Sequence, residues 1–290
     1  MSDTKRSCFG YVALVGRPNA GKSTLFNSLL GQSLSVVTRK AQTTQSMIMG
    51  ICSDQKGQYV LLDTPGVQQR FVKRRFQSLN KIANQAAFEA DVAVFVTGGL
   101  TWKEDDDKAL ESLRAFDGPR FCVLNKWDQY ADKPQKQREF VEKIQAKGFF
   151  DEIILCSAKV GLGVDVLHTQ LLAALPQGEK QYDDDMLTEH SEGFILAEIL
   201  RGQCLSFLHE EIPYHCITQV ESIENHDQHV LVQALIWVPS SAKKTVIIGK
   251  GGKKLEAIGH AARLEMEAFL EKKVVLKTWV KVGQPELPKY

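Results

Sequence analysis

The 290-residue sequence has no apolar run approaching the ~18 residues of a membrane-spanning helix, so no such span is expected. It has no CxxC pair. Cys8, Cys52, Cys122, Cys156, Cys204 and Cys216 are scattered, which argues against a disulfide framework or a clustered zinc site. They read instead as buried free thiols in a reducing cytosol. Histidine supplies no metal set: His226 and His229 stand three apart in a turn-like stretch, no carboxylate spacing completes the group, and His260 reads as packing or surface. No nucleophile–base pairing stands out. Internal repeats are absent, and low complexity is confined to the acidic runs Glu104–Asp107 and Asp183–Asp185. The first six residues carry the basic flank of a signal peptide, but Tyr11–Val15 is short and runs into a glycine-rich loop with no cleavage site. A soluble, cytoplasmic chain is expected.

What is present is ordinary globular composition, 43% hydrophobic and 24% charged, which excludes disorder, collagen and coiled coil for the chain as a whole. The net charge is only +1, but it is unevenly spread. Residues 240–290 hold 11 Lys or Arg against 5 Asp or Glu, so the C-terminal end is basic and the remainder slightly acidic. That end is where a polyanionic partner, or contact with a membrane surface, would be sought.

Up to Pro176 short β-rich runs alternate with helical patterns. Strands are expected at Tyr11–Val15, Ser46–Cys52, Gln58–Asp63, Asp91–Thr97, Arg120–Asn125 and Glu152–Leu155. Helices are expected near Lys22–Leu30, Arg75–Glu89, Asp105–Phe116, Pro134–Ala146 and Val164–Leu175. The alternation implies a mostly parallel sheet with helices on both faces, an α/β domain over residues 1–176. Residues 177–190, with Gly178, three consecutive Asp and little to bury, read as a linker. Beyond it, residues 191–290 change grammar: a helix (Ser191–Glu210), strands at Tyr214–Ser222 and Gln228–Val238, a glycine-bearing corner between two helices, the second Lys253–Leu270, and a strand at Lys273–Val282. This is a smaller α+β unit with its own core.

Gly16-Arg17-Pro18-Asn19-Ala20-Gly21-Lys22-Ser23 fits GxxxxGK[ST] between an apolar strand and a helix, the setting of a phosphate-binding loop. Gly16 and Gly21 let backbone N–H groups turn toward phosphate oxygens, Lys22 supplies an ammonium for the β- and γ-phosphates, and Ser23 a hydroxyl for Mg²⁺. Arg17, Pro18, Asn19 and Ala20 complete the loop, and Thr24 follows in the helix. Asp63-Thr64-Pro65-Gly66 closes the third strand, with Asp63 able to hold Mg²⁺ through water and the Gly66 N–H able to bond the γ-phosphate. Asn125-Lys126-Trp127-Asp128 follows the fifth strand. The Asp128 carboxylate can accept from N1–H and the 2-amino group of guanine, a pair that adenine lacks. Asn125 would tie the base loops together, the Lys126 stem would pack over the ring, and in Ser157-Ala158-Lys159 the Ala158 N–H could meet guanine O6. Taken singly these segments are weak; Asp128 alone reads as a solvated loop acid. Four in order, each at the C-terminal end of an expected strand, point to a site for GTP and GDP. Between them the polar stretch Ser33–Thr44 reads as a switch, in which Thr44, with Thr43 as the alternative, would complete the Mg²⁺ shell beside Ser23 and Asp63. The residues after Gly66 would form a second switch.

GRPNAGKS, KAQTTQ, DTPGV, NKWD and SAK in this order, followed by Ile247-Ile248-Gly249-Lys250-Gly251-Gly252, resemble the Era family of bacterial GTPases over about residues 8–282. The resemblance implies a P-loop GTPase domain followed by a KH-like RNA-binding domain, hydrolysis of GTP to GDP and phosphate, and binding of the 3′ region of 16S rRNA in assembly of the 30S ribosomal subunit. It also implies peripheral association with the inner membrane, and the chain is taken as a monomer. Ras-like GTPases orient the attacking water with a glutamine after the DxxG glycine; here Val67 stands there, with no hydrogen-bonding group. Relatives with a hydrophobic residue at this position recruit K⁺ through the phosphate-loop asparagine, which matches Asn19, although Asn19 can equally be read as shaping the loop. Asn19, Lys22, Thr44 and Gly66 are the residues to which hydrolysis is assigned.

Gly249-Lys250-Gly251-Gly252 is GxxG within a β-α-α-β pattern, as in a KH fold whose sheet begins before the helix pair. The glycines would let an RNA backbone approach, and Lys243, Lys244, Lys250 and Lys253, with Lys254 beside them, would meet phosphate. Read alone, GxxG is equally a helix corner that needs glycine, but its place and the basic surroundings favour RNA. Lys273, Lys277 and Lys281 share a strand face with Trp279, best read as a solvated face. The function read from all this is a GTP-driven switch acting on 16S rRNA. The alternatives are a GTPase in another RNA task, such as tRNA modification or large-subunit assembly, and a non-enzymatic RNA-binding scaffold with a structural nucleotide site.

Overall fold

The computed structural model describes residues 7–35, 47–63, 90–208 and 216–285. They divide into two compact units, with the boundary in sequence between Glu189 and His190.

In the first unit, β1 (Cys8–Val15), β3 (Gly57–Asp63), β4 (Val92–Gly98), β5 (Arg120–Asn125) and β6 (Glu152–Leu155) pair in parallel, while β2 (Ile48–Ser53) runs antiparallel to β3 at one edge. The order is β2-β3-β1-β4-β5-β6. The antiparallel edge follows from a short connection: the Asp54 carboxylate accepts from the Lys56 N–H at 2.6 Å and the Gly57 N–H at 3.1 Å, an Asx-type turn that reverses the chain. Helices cover both faces. On one, Ala13, Val15, Phe95 and Leu124 pack with Leu113, Phe140 and Ile144 from the region of α2 (Glu104–Glu111) and α3 (Pro134–Gln145). On the other, α1 (Lys22–Leu30) and α4 (Val164–Ala174) bury Leu25, Phe26, Leu167 and Leu171. Helix α2 is shorter than expected because its last turn tightens: the N–H groups of Ser112, Leu113 and Arg114 bond three residues back. Strand β1 begins three residues earlier than expected because Cys8 already lies in register with Gly57. The expected helix over 75–89 lies outside the described residues.

The stretch read as a linker is fastened to this unit over most of its length. The buried Gln58 side chain accepts from the Gln181 and Tyr182 N–H groups, both at 3.0 Å, and donates to the Tyr182 carbonyl at 2.9 Å. The Thr188 hydroxyl donates to Met49 O at 2.6 Å, and the Ile51 N–H to Leu187 O at 2.8 Å. These bonds cover part of the otherwise open edge of β2, which is why a polar segment holds a fixed course there.

The second unit contains α5 (Glu192–Phe207), β7 (Ile217–Asn225), β8 (Val230–Val238), α6 (Ser241–Ile248), a short 3₁₀ turn (Lys250–Gly252), α7 (Lys253–Leu270) and β9 (Val274–Val282). Ser191 and Ser240 cap α5 and α6 by accepting the N–H groups of Phe194 and Lys243. Strand β8 is central, antiparallel to β7 and parallel to β9. Its alternate residues Val230, Val232, Ala234, Ile236 and Val238 are buried, as are Ile258, Ala262 and Met266 at four-residue spacing on α7. Helix α5 buries almost every residue from Ile195 to Leu205, including Glu198 and Arg201, which form a bidentate pair at 2.8 and 2.5 Å.

Candidate functional site

Leu14 pairs with Asp63, and Gly98 with Asn125, so the C-terminal ends of β1, β3, β4 and β5 stand side by side. The glycine-rich turn from Gly16 to Gly21 leaves β1 on this edge. At Gly16, φ is +152° and an added Cβ would lie 2.3 Å from the Val96 carbonyl oxygen, which only glycine avoids. Lys22, in the first turn of α1, is 7% exposed, and its Nζ donates to Gly16 O at 2.9 Å and Arg17 O at 3.2 Å. Burial pushes its pKa down to about 8, with Asp63 opposing the shift, Arg17 adding to it, and Asp106 opposing it. The Ser23 hydroxyl donates to Asp63 Oδ2 at 2.7 Å, so the two expected Mg²⁺ ligands are adjacent. A carboxylate and a hydroxyl are hard oxygen donors that suit Mg²⁺ shared with phosphates and waters. The buried Ser35 also donates to Asp63 Oδ2, at 2.7 Å. Nothing in the sequence marked Ser35 beyond its place in a polar stretch; its position is held by Asn27, whose side-chain oxygen accepts the Leu34 and Ser35 N–H groups.

Arg17 turns away from the phosphate side. Its Nη2 donates to Gly98 O at 2.7 Å and its Nε to Asp106 Oδ2 at 3.1 Å. Asp106 is fully buried and also accepts the Lys103 N–H at 2.9 Å. Burial lifts its carboxyl above the usual range, while the Lys103 N–H and Arg17 pull it back. This residue hid in an acidic run that reads as solvated surface.

The base loops converge on Asn125. Its Nδ2 donates to Ala20 O at 3.1 Å, and its Oδ1 accepts the Lys126 N–H at 2.8 Å and the Ala158 N–H at 3.0 Å. One amide therefore joins the phosphate loop to both base loops. The Ala158 N–H, expected on guanine O6, would have to share its hydrogen with that base. Lys126, with φ +65°, donates through Nζ to Asn19 O at 2.7 Å. Its pKa is lowered by burial and by the nearby Arg17 and Lys103. The Asp128 N–H donates to the buried Ser157 hydroxyl at 2.7 Å, leaving an exposed carboxylate at the mouth beside exposed Lys159. Asn19 is exposed with φ +60°, a left-handed conformation that asparagine tolerates. Pro18 is half-buried, as is Thr24 on α1. Thr43, Thr44, Thr64, Pro65, Gly66 and Val67 lie outside the described residues.

In the second unit the corner between α6 and α7 has Gly249, Gly251 and Gly252 at φ +72°, +61° and +80°. An added Cβ at Gly251 or Gly252 would meet no atom within 4 Å, so the loop presents open backbone. Lys250 and Lys253 are exposed, and Lys243, Lys244 and Lys254 half-buried; none of the five pairs with an acid among the described residues. Beside the loop, a cavity of about 430 Å³ lies between α7 and β9, lined by Gly252, Leu255, Gly259, Arg263, Leu276 and Thr278, among others. Sequence reasoning missed Arg263, Leu276 and Thr278. Strand alternation carried the signal, because residues 274, 276, 278 and 280, which alternate with the lysine face of β9, necessarily lie on the opposite face. The lysine face itself is partly neutralised: Lys281 lies 3.3 Å from Glu221 and Lys273 3.6 Å from Glu267, while Trp279 is 43% exposed.

Residues 11–126 match the family model described as 50S ribosome-binding GTPase, and residues 211–287 match that of the KH domain. GTPase Era of Vibrio vulnificus (strain YJ016) is 35% identical over 275 residues, covering 94% of this chain and 86% of its own. GTPase Era of Glaesserella parasuis serovar 5 is 35% identical over 97% of this chain and 94% of its own. Among solved structures, an Aquifex aeolicus Era variant bound to GDP·AlF₄⁻ superposes with a TM-score of 0.89 at 33% identity, over 95% of this chain and 94% of that one. A complex of Era with MgGDPNP and nucleotides 1506–1542 of 16S ribosomal RNA gives the same TM-score at 33% identity, over 96% and 94%.

Proposed function

Because this chain belongs to the Era family of GTPases, we propose that it binds GTP at the edge built by the phosphate loop, Asp63, Asn125 and Ser157, and couples the state of that nucleotide to binding of 16S rRNA in assembly of the 30S subunit. The observation that carries the GTP reading is the Asn125 amide, which brings three separated motifs into one pocket. Gly16–Ser23 with Thr24 would cradle the phosphates, with the Lys22 ammonium on the β- and γ-phosphates. Ser23 and Asp63, joined by Thr44, would hold Mg²⁺, which supplies charge neutralisation across those phosphates. Thr64, Pro65 and the Gly66 N–H would approach the γ-phosphate. Lys126 and Asp128, with Ser157–Lys159, would hold the guanine. Val67 cannot orient water, and K⁺ held by Asn19 is the proposed remedy; the left-handed Asn19 backbone equally supports a role in loop shape. Phosphate release from GTP, but not ATP, tests the enzyme, and K⁺ in place of Na⁺ is expected to accelerate it at least about tenfold. Equal rates in the two salts would remove K⁺ and leave Asn19 its structural part.

The RNA reading rests on the open GxxG backbone beside the α7–β9 cavity, with lysines around it that pair with no acid among the described residues. An extended single strand would lay its backbone over Gly249–Gly252 and its bases in the cavity, with Lys243, Lys244, Lys250 and Lys253 on phosphates. Lys250→Asp with Gly251→Asp is expected to weaken single-stranded RNA binding by about two orders of magnitude at low salt, with GTP affinity unchanged. A filter-binding titration beside a nucleotide titration reads both; parallel loss of the two would mean misfolding. Cytoplasmic action as a monomer, with peripheral inner-membrane contact through the basic end, completes the proposal. No helix among the described residues is long and apolar enough to cross a membrane.

A further inference from the structure

Asp106 lies 89 residues beyond Arg17 and belongs to none of the nucleotide motifs, yet the two form the ion pair at 3.1 Å with side chains 0% and 11% exposed. Arg17 is the second residue of the phosphate loop. Its carbonyl accepts the Lys22 ammonium at 3.2 Å, and its guanidinium is tied to the end of β4 at Gly98 and to the first turn of α2 at Asp106. A loop whose function is to aim N–H groups at phosphate needs its backbone fixed: Asn125 and Lys126 hold its later carbonyls, at Ala20 and Asn19, and the Arg17 side chain ties its start to β4 and α2. We propose that Asp106 is a positioning residue for the phosphate loop, acting through Arg17. The inference rests on the GTP-site reading above and adds to it the anchor that sets the loop's geometry.

A plainer role is available: Asp106 accepts the Lys103 N–H and so also closes the N-terminal turn of α2. The two roles separate in a double-mutant cycle on the full chain, reading KM and kcat for GTP together with thermal melting. Asp106→Ala is expected to raise KM roughly ten- to a hundredfold, the scale of one lost charge-assisted contact. The kcat should stay within about threefold, because the loop grips substrate and transition state alike. Arg17→Ala, which also loses the bond to Gly98 O, should raise KM at least as much, and the double variant should be no worse than Arg17→Ala alone. Loss of the helix cap, by contrast, lowers the melting temperature in Asp106→Ala whether or not Arg17 is present. Asp106→Asn retains an oxygen for Lys103 and serves if the alanine variant does not fold; its KM should rise with little change in melting. An unchanged KM in these variants, or additive effects in the cycle, would overturn the proposal. A parent chain that neither binds nor hydrolyses GTP would overturn the GTP reading as well, which marks that failure off from the first.

Discussion

The Asp128→Asn chain is expected to bind GTP about 10³-fold more weakly than the parent and to accept xanthosine triphosphate in its place. A carboxylate that accepts two N–H groups from one base makes two charge-assisted bonds, each of about 1.5–3 kcal/mol. The carboxamide keeps one acceptor and turns a donor toward guanine's own donors. Xanthine has a carbonyl where guanine has its 2-amino group, and the new donor can bond it. The substitution should leave the loop in place, because the tie to Ser157 uses the Asp128 backbone N–H and the side chain is exposed. Titration with fluorescent guanosine and xanthosine nucleotides reads the switch directly. Undiminished GTP affinity would mean that the base sits elsewhere.

Gly21→Ala is the second large effect. Here φ is +106°, and an added Cβ would fall 2.2 Å from Asn125 Nδ2. A side-chain terminus can usually move aside, but this one is held: shifting the amide breaks its bond to Ala20 O and draws Oδ1 from the Lys126 and Ala158 N–H groups. The phosphate loop and both base loops should therefore loosen together, and nucleotide affinity should fall by more than about 10³-fold, a loss of roughly 4 kcal/mol. Gly31→Ala is the control. It has φ +70°, but nothing lies within 4 Å, so only backbone strain of about 1–2 kcal/mol is incurred and binding should survive. Calorimetric titration of the two variants with GDP decides; retained binding in Gly21→Ala would show that Asn125 does not join the loops as described.

How much of this was legible before folding depended on whether the signal was local. Apolar runs such as Val92–Val96 and the amphipathic helix Lys253–Leu270 need only sequence neighbours to define them, and they fell where periodicity puts them. The nucleotide motifs were equally plain, since each is a short string at a strand end. What stayed hidden was long-range polar chemistry. Asp106 looks like any member of an acidic run until the sheet carries Arg17 to it. Gln58 looks like a surface amide until residues 181 and 182 fold back onto it. Ser35 is one hydroxyl among many until Asn27 holds its loop against Asp63. The cavity residues Leu276 and Thr278 were overshadowed by Lys277 between them.

The parallel pairing of β8 with β9 bears on biosynthesis. A parallel neighbour can be reached only through a crossover, here the two helices and the glycine corner. During translation, therefore, β8 waits with one side unsatisfied while some 35 residues emerge, its buried valines open to mispairing with other nascent chains. The first unit can close long before that. Under the proposed function, RNA binding would be the last property the newborn polypeptide acquires, and a message truncated before Val274 would yield a chain with its first unit complete beside a sticky, unfinished tail.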